Sequence, residues 1–265
     1  HAAFDHGINQ FDTADLYDRG FNEESVGKAL KDRRDKVIIA TKVGNEWLEN
    51  GMGWEWNPHK SYIIKAVHQS LKRLGTDYID LYQLHGGTLE DPIDETIEAF
   101  EELKAAGHIR HYGISSIRPN VIRQWTARSN MSSVMTQYSL LDRRPEEFTL
   151  DHLQAHQTGG IVRGVIAKGY LIHKLPMDLL GHEAMNIEMV QKAISELAEG
   201  TDYSPVHLAA AYTLSHPATT TLAMGASNVA QVVQNAKLMR LPFPDTDLMN
   251  QLKALAPAFQ YDSHR

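Results

Sequence analysis

The sequence predicts an α/β protein of the (β/α)8, or TIM, barrel class. Short runs rich in apolar and β-branched residues alternate along the whole chain with segments of helical periodicity. Such alternation is typical of parallel strands joined by right-handed helical crossovers. An open doubly wound sheet normally carries a G-x-G-x-x-G phosphate turn after an early strand, and the sequence contains no such motif. We therefore favour the closed barrel over the open sheet.

Each predicted element has a local signal of its own. The run KVIIATKV is continuous and apolar, as expected for a strand covered on both faces, whereas residues 58–74 place apolar side chains at helical spacing. The predicted strands are residues 8–14, 36–43, 78–85, 108–116, 133–140, 160–167 and 219–224. The predicted helices are residues 23–32, 58–74, 92–106, 119–128, 146–156, 187–199, 205–215, 229–237 and 245–255.

The start of the sequence indicates an incomplete barrel. Residues 1–7 have the character of a last helical turn closed by a glycine, Gly7. The pattern contains seven strands, and a barrel of this class has eight. We therefore expect a single (β/α)8 barrel domain over residues 1–265 that is N-terminally incomplete, lacking its first strand and most of its first helix.

Composition excludes several functional classes. The chain has 265 residues, of which 42% are hydrophobic, and its net charge of −7 argues against a nucleic-acid partner. Without cysteine there is no disulfide framework, thiolate metal site or cysteine nucleophile. No apolar run approaches the roughly 20 residues that span a bilayer. We expect a cytoplasmic protein without a membrane partner, and the sequence leaves its oligomeric state open.

Polar residues close three of the predicted strands. Asp12, Lys42 and His85 stand at or near the carboxyl ends of these strands, and Tyr17 follows in the loop after Asp12. In (β/α)8 barrels the reactive side chains come from these ends and the loops that follow them. A lysine that closes an apolar strand is costly to bury without an anion. Asp12, on the adjacent strand, is the anion that we expect to pair with Lys42.

These residue types suit the delivery of a proton to a carbonyl oxygen as a hydride arrives at the carbon. A phenol is a weak acid at neutral pH, and a neighbouring ammonium favours its phenolate. A neutral histidine can donate a hydrogen bond that orients the carbonyl. The sequence contains neither a G-x-S-x-G elbow nor an H-E-x-x-H motif, which disfavours serine hydrolase and zinc chemistry.

Six separate blocks of the sequence resemble the aldo-keto reductase superfamily in order and spacing. They are DTADLY at 12–17, ATKV at 40–43, DLYQLH at 80–85, GISS at 113–116, QYS at 137–139 and GASN at 225–228. The resemblance covers nearly the whole chain and implies a (β/α)8 reductase of aldehydes or ketones that uses NADPH, or NADH, without a Rossmann fold. It also implies four catalytic residues: Tyr17 as the acid, Lys42 and Asp12 as its tuning pair, and His85 as the substrate-orienting donor.

The resemblance further implies a set of cofactor-binding residues. Ser115 and Gln137 are expected to hold the nicotinamide carboxamide, and Arg163 stands where many members have an aromatic ring. The remaining expected contacts are Ser116, Gly164, Ile166, Lys168, Gly225, Ser227, Gln231 and Asn235, with backbone N–H groups at the start of the following helix, predicted for 229–237, available to a phosphate. No Arg or Lys stands near Ser227, so the preference for NADP over NAD rests on the family alone.

The loop after Lys42 carries Trp47, Trp54 and Trp56, which we interpret as one wall of a pocket for a small-molecule carbonyl substrate. Weaker candidates for the same wall are Leu140, Leu141 and Arg143, although Arg143 and Arg144 also suit a solvated turn. An alternative function is a nucleotide-binding regulatory subunit of low turnover, because the GASN block also resembles the potassium-channel β-subunit branch. A metal-dependent hydrolase is disfavoured, since no His/Asp ligand cluster is visible.

Overall fold

The computed structural model describes residues 1–48, 52–238 and 240–265. The chain forms two compact units, His1–Val134 and Met135–Arg265. The expectation of a single domain over residues 1–265 stays a prediction. Among the described residues, no helix combines the length and the apolar character needed to cross a membrane.

The first unit alternates strands and helices. Its elements are α1 (Ala2–Asp5), β1 (Gln10–Asp12), α2 (Phe21–Leu30), β2 (Ile38–Val43), β3 (Asn45–Trp47), β4 (Trp54–Trp56), α3 (Lys60–Leu74), β5 (Ile79–Leu84), α4 (Ile93–Ala105), β6 (Ile109–Ser115) and α5 (Pro119–Arg128). The strands β1, β2, β5 and β6 are parallel neighbours in that order. Their carboxyl ends therefore lie at the same edge of the sheet.

Local sequence explains the main elements of this unit. Strand β2 is buried from Ile39 to Val43, as its uninterrupted apolar pattern predicts. Helix α3 buries the apolar stripe of its amphipathic sequence and ends at Gly75, whose φ of 63° is left-handed. Helix α2 approaches α3 closely at Gly27, where a Cβ atom would lie 2.2 Å from the carbonyl oxygen of Leu74. Only glycine permits this approach.

The second unit begins within a strand, since β7 (Ser133–Gln137) passes from the first unit into it. Its further elements are α6 (Thr149–Ala155), β8 (Gly159–Arg163), α7 (Ala184–Ala198), α8 (Pro205–Leu214), β9 (Thr219–Ala223), α9 (Val229–Leu238) and α10 (Thr246–Ala254). Strands β8 and β9 are parallel neighbours. The strands and helices of this unit thus follow one another in the order predicted from the sequence.

The structure corrects several of the predicted boundaries, including the end of the strand predicted for 133–140, which lies at Gln137. The first predicted strand is confined to residues 10–12, and the strand predicted for 160–167 ends at Arg163 because Gly164 has a φ of 78°. The helix predicted for 146–156 starts at Thr149, after a 3₁₀ turn over Arg144–Glu147. The segment after Lys42 is not an irregular loop, since β3 and β4 pair as an antiparallel hairpin.

Candidate active site

The parallel register of the first unit brings the predicted catalytic residues of three strands to one edge. Asp12 ends β1 and lies opposite Ala40 of β2. Ala40 and Lys42 face the same side of β2, because side chains alternate along a strand. Lys42 in turn lies opposite Gln83 of β5, two residues before His85. The sheet therefore gathers Asp12, Lys42 and the end of β5 together.

Lys42 forms the ion pair expected from the sequence. Its side chain is 1% exposed, and its Nζ atom donates to Asp12 Oδ2 at 2.5 Å and to the carbonyl oxygen of Thr13 at 2.8 Å. The hydroxyl of Thr13 donates to Asn22 Oδ1 at 2.7 Å, which anchors the loop that supplies this carbonyl. The anionic and the neutral oxygen acceptor together hold the buried Lys42 side chain in position.

Tyr17 lies beside this ammonium and beside His85. Lys42 Nζ is 5.0 Å from the centroid of the Tyr17 ring, and the ring of His85 meets the Tyr17 ring edge-on at 5.8 Å. Tyr17 is 39% exposed, so a substrate can reach it from solvent. The two residues that follow, Asp18 and Arg19, both have left-handed φ angles, of 47° and 56°. Such strain in non-glycine residues is frequent at functional sites.

A buried polar cluster lies behind these residues. Glu23 is fully buried; its Oε1 accepts from Thr41 Oγ1 and its Oε2 from Arg73 Nε, each at 2.6 Å. Asp15 is also buried, and its backbone N–H donates to the carbonyl oxygen of Lys42 at 3.3 Å. Burial, together with the nearby Glu23 carboxylate, raises the pKa of Asp15 to about 7, although the Arg73 guanidinium opposes the shift. The Asp15 carboxyl therefore titrates near neutral pH.

This raised pKa predicts a pH dependence of stability. Folded protein binds the Asp15 proton more tightly than unfolded protein, so the group's contribution to the free energy of unfolding falls as pH rises from 3.8 through 7. Between pH 6 and pH 8 the loss is about 1.4 kcal/mol. We expect Asp15→Asn to abolish this part of the pH dependence and to stabilise the protein more at pH 8 than at pH 6.

Chemical unfolding at both pH values measures this effect. Asp151→Asn is a matched control, because Asp151 is exposed and its ion pair with His216 lies in the second unit. If Asp15→Asn changed the free energy of unfolding, relative to the wild type, by the same amount at pH 6 and at pH 8, the assignment of this pH dependence to Asp15 would be contradicted.

The three tryptophans do not occupy equivalent positions on the hairpin. Trp47 and Trp54 are paired across β3 and β4. The Arg19 guanidinium carbon lies 5.1 Å from the Trp47 ring centroid, which brings this ring into the neighbourhood of the Tyr17 loop, and Trp54 is 49% exposed. Trp54 is thus the exposed member of this set, whereas Trp47 is half-buried.

Trp56 has a packing role. Its Nε1 atom donates to Asp91 Oδ1 at 3.0 Å. Its ring covers the backbone after β2 and β5, where a Cβ atom at Gly44 would lie 2.7 Å from the ring and one at Gly86 would lie 3.3 Å from it. Trp56 therefore holds the hairpin against the two strand ends that carry Lys42 and His85.

The candidate cofactor residues of the first unit follow β6. Ser115 is its last residue, and Ser116 comes next; both are buried. The Ser116 hydroxyl accepts from the backbone N–H of Arg118 at 3.2 Å, and Arg118 donates to the carbonyl oxygen of Gly87 at 2.7 Å. Ser116 thus stabilises the turn into α5.

In the second unit, two candidate cofactor residues contact each other directly. Arg163 Nη1 donates to Gln137 Oε1 at 2.9 Å. Gln137 Nε2 donates to Asp142 Oδ2 at 2.7 Å. Gly164 lies against the same glutamine, since a Cβ atom there would be 3.1 Å from Gln137 Cγ. The side chain of Gln137 is therefore held on both sides.

The other candidates of the second unit lie in a turn and at a helix start. Ile166 and Lys168 belong to the turn after β8, where Lys168 has a φ of 56° and is exposed. Gly225 precedes α9 in open surroundings, because a Cβ atom there would have no neighbour within 4 Å among the described residues. Asn235 is partly buried within α9.

The start of α9 is capped by its own side chains. Gln231 Oε1 accepts from the N–H and the hydroxyl of Ser227, at 2.8 and 3.0 Å, while Asn228 Oδ1 accepts from the N–H of Gln231 at 3.0 Å. This arrangement resembles a capping box, except that the Gln231 side chain returns to Ser227 and not to the capping residue Asn228. The N–H of Gln231 is thus already bound, and the expectation that other N–H groups of this helix start meet a phosphate stays a prediction.

Comparison with known proteins decides the family. The model of the Aldo/keto reductase family matches residues 1–256. The chain belongs to the aldo/keto reductase family. An uncharacterized oxidoreductase, YqkF, from Bacillus subtilis is 47% identical over 99% of this chain and 88% of its own length. The resemblance stated from the six sequence blocks is thus confirmed.

Solved structures of aldo-keto reductases agree. The holo form of aldo-keto reductase AKR11C1 from Bacillus halodurans is 48% identical, with a TM-score of 0.94 over 100% of this chain and 88% of that one. An aldo/keto reductase from Klebsiella pneumoniae, in complex with NADP and acetate, is 27% identical, with a TM-score of 0.82 over 99% and 85% of the two chains. The (β/α)8 fold class is confirmed, with seven of its parallel strands among the described residues.

The residues of this aldo-keto reductase chain suit a polyanionic dinucleotide. The second unit supplies two cations, Arg163 and Lys168, at the carboxyl end of β8. Gly225 leaves open space before a ten-residue helix, whose amino end favours negative charge. The described residues contain no group of three or more His, Asp or Glu side chains that could hold a metal ion. The donor set therefore fits NADP(H) better than a metal.

The structure corrects the weaker candidates for the pocket wall. Leu140, Leu141 and Arg143 were candidates for the pocket wall, and this interpretation is wrong: both leucines are buried in the core. Arg143 is also buried and donates to the carbonyl oxygens of Lys253 and Ala256, at 2.8 and 2.6 Å, so the solvated-turn alternative fails as well. The role of the Thr13 carbonyl oxygen could not be found from the sequence, because every residue has a backbone carbonyl.

Proposed function

We propose that this chain reduces aldehydes or ketones to alcohols, reversibly, with NADPH as the hydride donor and Tyr17 as the general acid. The observation that carries the proposal is the buried Lys42–Asp12 ion pair next to Tyr17, with the His85 ring in edge-on contact with the Tyr17 ring. Membership of the aldo/keto reductase family and the NADP held by the Klebsiella relative support the same reaction.

NADPH, when bound, supplies a hydride to the carbonyl carbon. Tyr17 donates its hydroxyl proton to the carbonyl oxygen, and an alcohol and a phenolate result. The Lys42 ammonium stabilises this phenolate, while Asp12 and the Thr13 carbonyl keep the ammonium in place. His85 donates a hydrogen bond that orients the carbonyl. Tyr17 is partly exposed, so it recovers its proton from solvent.

The proposed nucleotide contacts are divided by unit. In the first unit they are Ser115 and Ser116. In the second unit they are Gln137, Arg163, Gly164, Ile166, Lys168, Gly225, Ser227, Gln231 and Asn235. The cations Arg163 and Lys168 support pyrophosphate binding, because Arg163 ends β8 and Lys168 lies in the turn with left-handed residues that follows it. NADPH is proposed before NADH on the cofactor of the relative named above.

The substrate is proposed to be a small carbonyl compound with an apolar body. Trp54 supports this choice, because it is exposed on the hairpin that follows Lys42, and the half-buried Trp47 lies opposite it. Trp56 is the weakest member of this proposed wall, since its ring already packs against the backbone at Gly44 and Gly86. A cytoplasmic location remains a prediction from composition.

A titration followed by an assay in the same cuvette tests the proposal. NADPH and NADH are titrated by fluorescence, and 4-nitrobenzaldehyde is then added to the complex. We expect micromolar binding of NADPH and oxidation of NADPH on addition of the aldehyde. Binding without oxidation, across several carbonyl compounds, would favour the regulatory-subunit alternative, and absence of binding would contradict both functions.

A further inference from the structure

The amide of Gln137 has a defined orientation before any nucleotide binds. Its Nε2 atom faces the Asp142 carboxylate at 2.7 Å, and its Oε1 atom faces the Arg163 guanidinium at 2.9 Å. A carboxylate only accepts hydrogen bonds, and a guanidinium only donates them. The two partners therefore exclude the flipped amide, in which both contacts would be repulsive.

Asp142 is itself held rigidly. It is 2% exposed, and Arg144 donates to both of its oxygens, from Nε to Oδ1 at 2.7 Å and from Nη2 to Oδ2 at 2.8 Å. Its backbone N–H donates to the hydroxyl and the carbonyl of Ser139, at 3.1 and 3.0 Å. The Arg144 guanidinium in turn lies 4.9 Å from the centroid of the Tyr261 ring. Side chain and backbone of Asp142 are thus both fixed.

This arrangement leaves Gln137 with a particular remaining capacity. A glutamine amide has two N–H donors and two acceptor positions. Asp142 occupies one donor and Arg163 occupies one acceptor position. One donor and one acceptor remain, and these complement a primary carboxamide, which also offers one of each on a single edge.

We propose that Asp142, fixed by Arg144, is a positioning residue that presets Gln137 to bind the carboxamide of nicotinamide. The inference rests on the proposed function, because it assumes that Gln137 contacts this end of the cofactor. Asp142 itself reaches the cofactor only through Gln137. Its expected effect is therefore confined to the nicotinamide end of the nucleotide and spares the adenosine end.

A comparison of two nucleotides tests this selectivity. Dissociation constants are measured for NADPH and for 2′-phospho-ADP-ribose, which is the same dinucleotide without nicotinamide. The ratio compared is the affinity for NADPH divided by the affinity for 2′-phospho-ADP-ribose. In Asp142→Asn we expect this ratio to fall by about five- to tenfold, which corresponds to the net contribution of one well-formed hydrogen bond. Arg144→Lys, which keeps the charge and loses the two-pronged contact, is expected to move the ratio in the same direction by a smaller factor.

Two controls separate positioning from general damage. Asp151→Asn makes the same chemical change at an exposed position of this unit and is expected to leave the ratio unchanged. In a Gln137→Leu background, Asp142→Asn is expected to add less than a twofold further change, because its effect passes through Gln137. Circular dichroism and thermal unfolding show whether each variant folds. If Asp142→Asn does not fold, Arg144→Lys replaces it as the test variant.

The outcomes distinguish this inference from the proposed function. If the wild-type chain binds NADPH more tightly than 2′-phospho-ADP-ribose and folded Asp142→Asn keeps the same ratio within twofold, the positioning role is overturned and the reductase proposal stands. If the wild-type chain does not bind NADPH, both are overturned. A fall in the ratio that persists in the Gln137→Leu background would also overturn the positioning role.

Discussion

Replacement of Tyr17 by phenylalanine is expected to reduce the rate of carbonyl reduction by about 10²- to 10⁴-fold, because the change removes the only proton that Tyr17 can give to the carbonyl oxygen. The ring remains, so its contacts with Lys42 and His85 are kept. NADPH affinity is expected to change by less than about twofold. Single-turnover assays and fluorescence titration measure the two quantities separately.

A second tyrosine provides the control. Tyr78 directly precedes β5, and the guanidinium carbons of Arg34 and Arg110 lie 3.9 and 4.5 Å from the centroid of its ring. Tyr78→Phe removes a hydroxyl from the amino end of the sheet and preserves the ring stack. We expect its turnover to match that of the wild type. Equal turnover of Tyr17→Phe and Tyr78→Phe would remove Tyr17 from the acid role.

Lys42→Met is expected to reduce turnover about as strongly as Tyr17→Phe does. It is also expected to lower the free energy of unfolding. The variant leaves Asp12 without the cation that it faces at 2.5 Å. Loss of one partner of a buried ion pair costs about 3–5 kcal/mol when both groups are buried, and Asp12 is 21% exposed, so the lower end of this range is expected. Chemical unfolding measures the change in free energy.

A double variant separates stability from chemistry. Asp12→Asn combined with Lys42→Met removes both charges, so most of the lost stability is expected to return while turnover stays low. Lys60→Met is the surface control, because the carboxylates that Lys60 meets, Glu98 and Glu102, are exposed; its effect on the free energy of unfolding is expected to be much smaller than that of Lys42→Met. Recovery of turnover in the double variant would contradict the role of the ion pair.

The order of strands and helices could be read from the sequence because periodicity is a local property. The continuous apolar run of β2 and the amphipathic pattern of α3 each determine an element without reference to the rest of the chain. The hairpin of β3 and β4 could not be read in this way. Its strands have three residues each, too few for a period to appear, and they depend on Trp56 packing over Gly44.

The candidate catalytic residues were also visible in the sequence, since each polar residue follows a recognisable strand. The strand-end rule placed Asp12, Lys42 and His85 at one edge of a parallel sheet. Their assignment to catalysis stays a prediction, whereas the expected ion pair of Asp12 and Lys42 is present. The register of β1 against β2 decides this pair, and register is a property of two strands together.

The sequence was enough to predict the family, the succession of elements, the residue types of the site and the pairing of Lys42 with Asp12, because these follow from local pattern and strand order. Other contacts of the site depend on how the whole chain folds. No sequence pattern marks Asp142, which is buried and bonded to Arg144 and Gln137. None marks Asp15 either, although burial and the nearby Glu23 carboxylate raise its pKa to about 7. In both cases the deciding quantity is the loss of water around a charge, which depends on residues distant in the sequence.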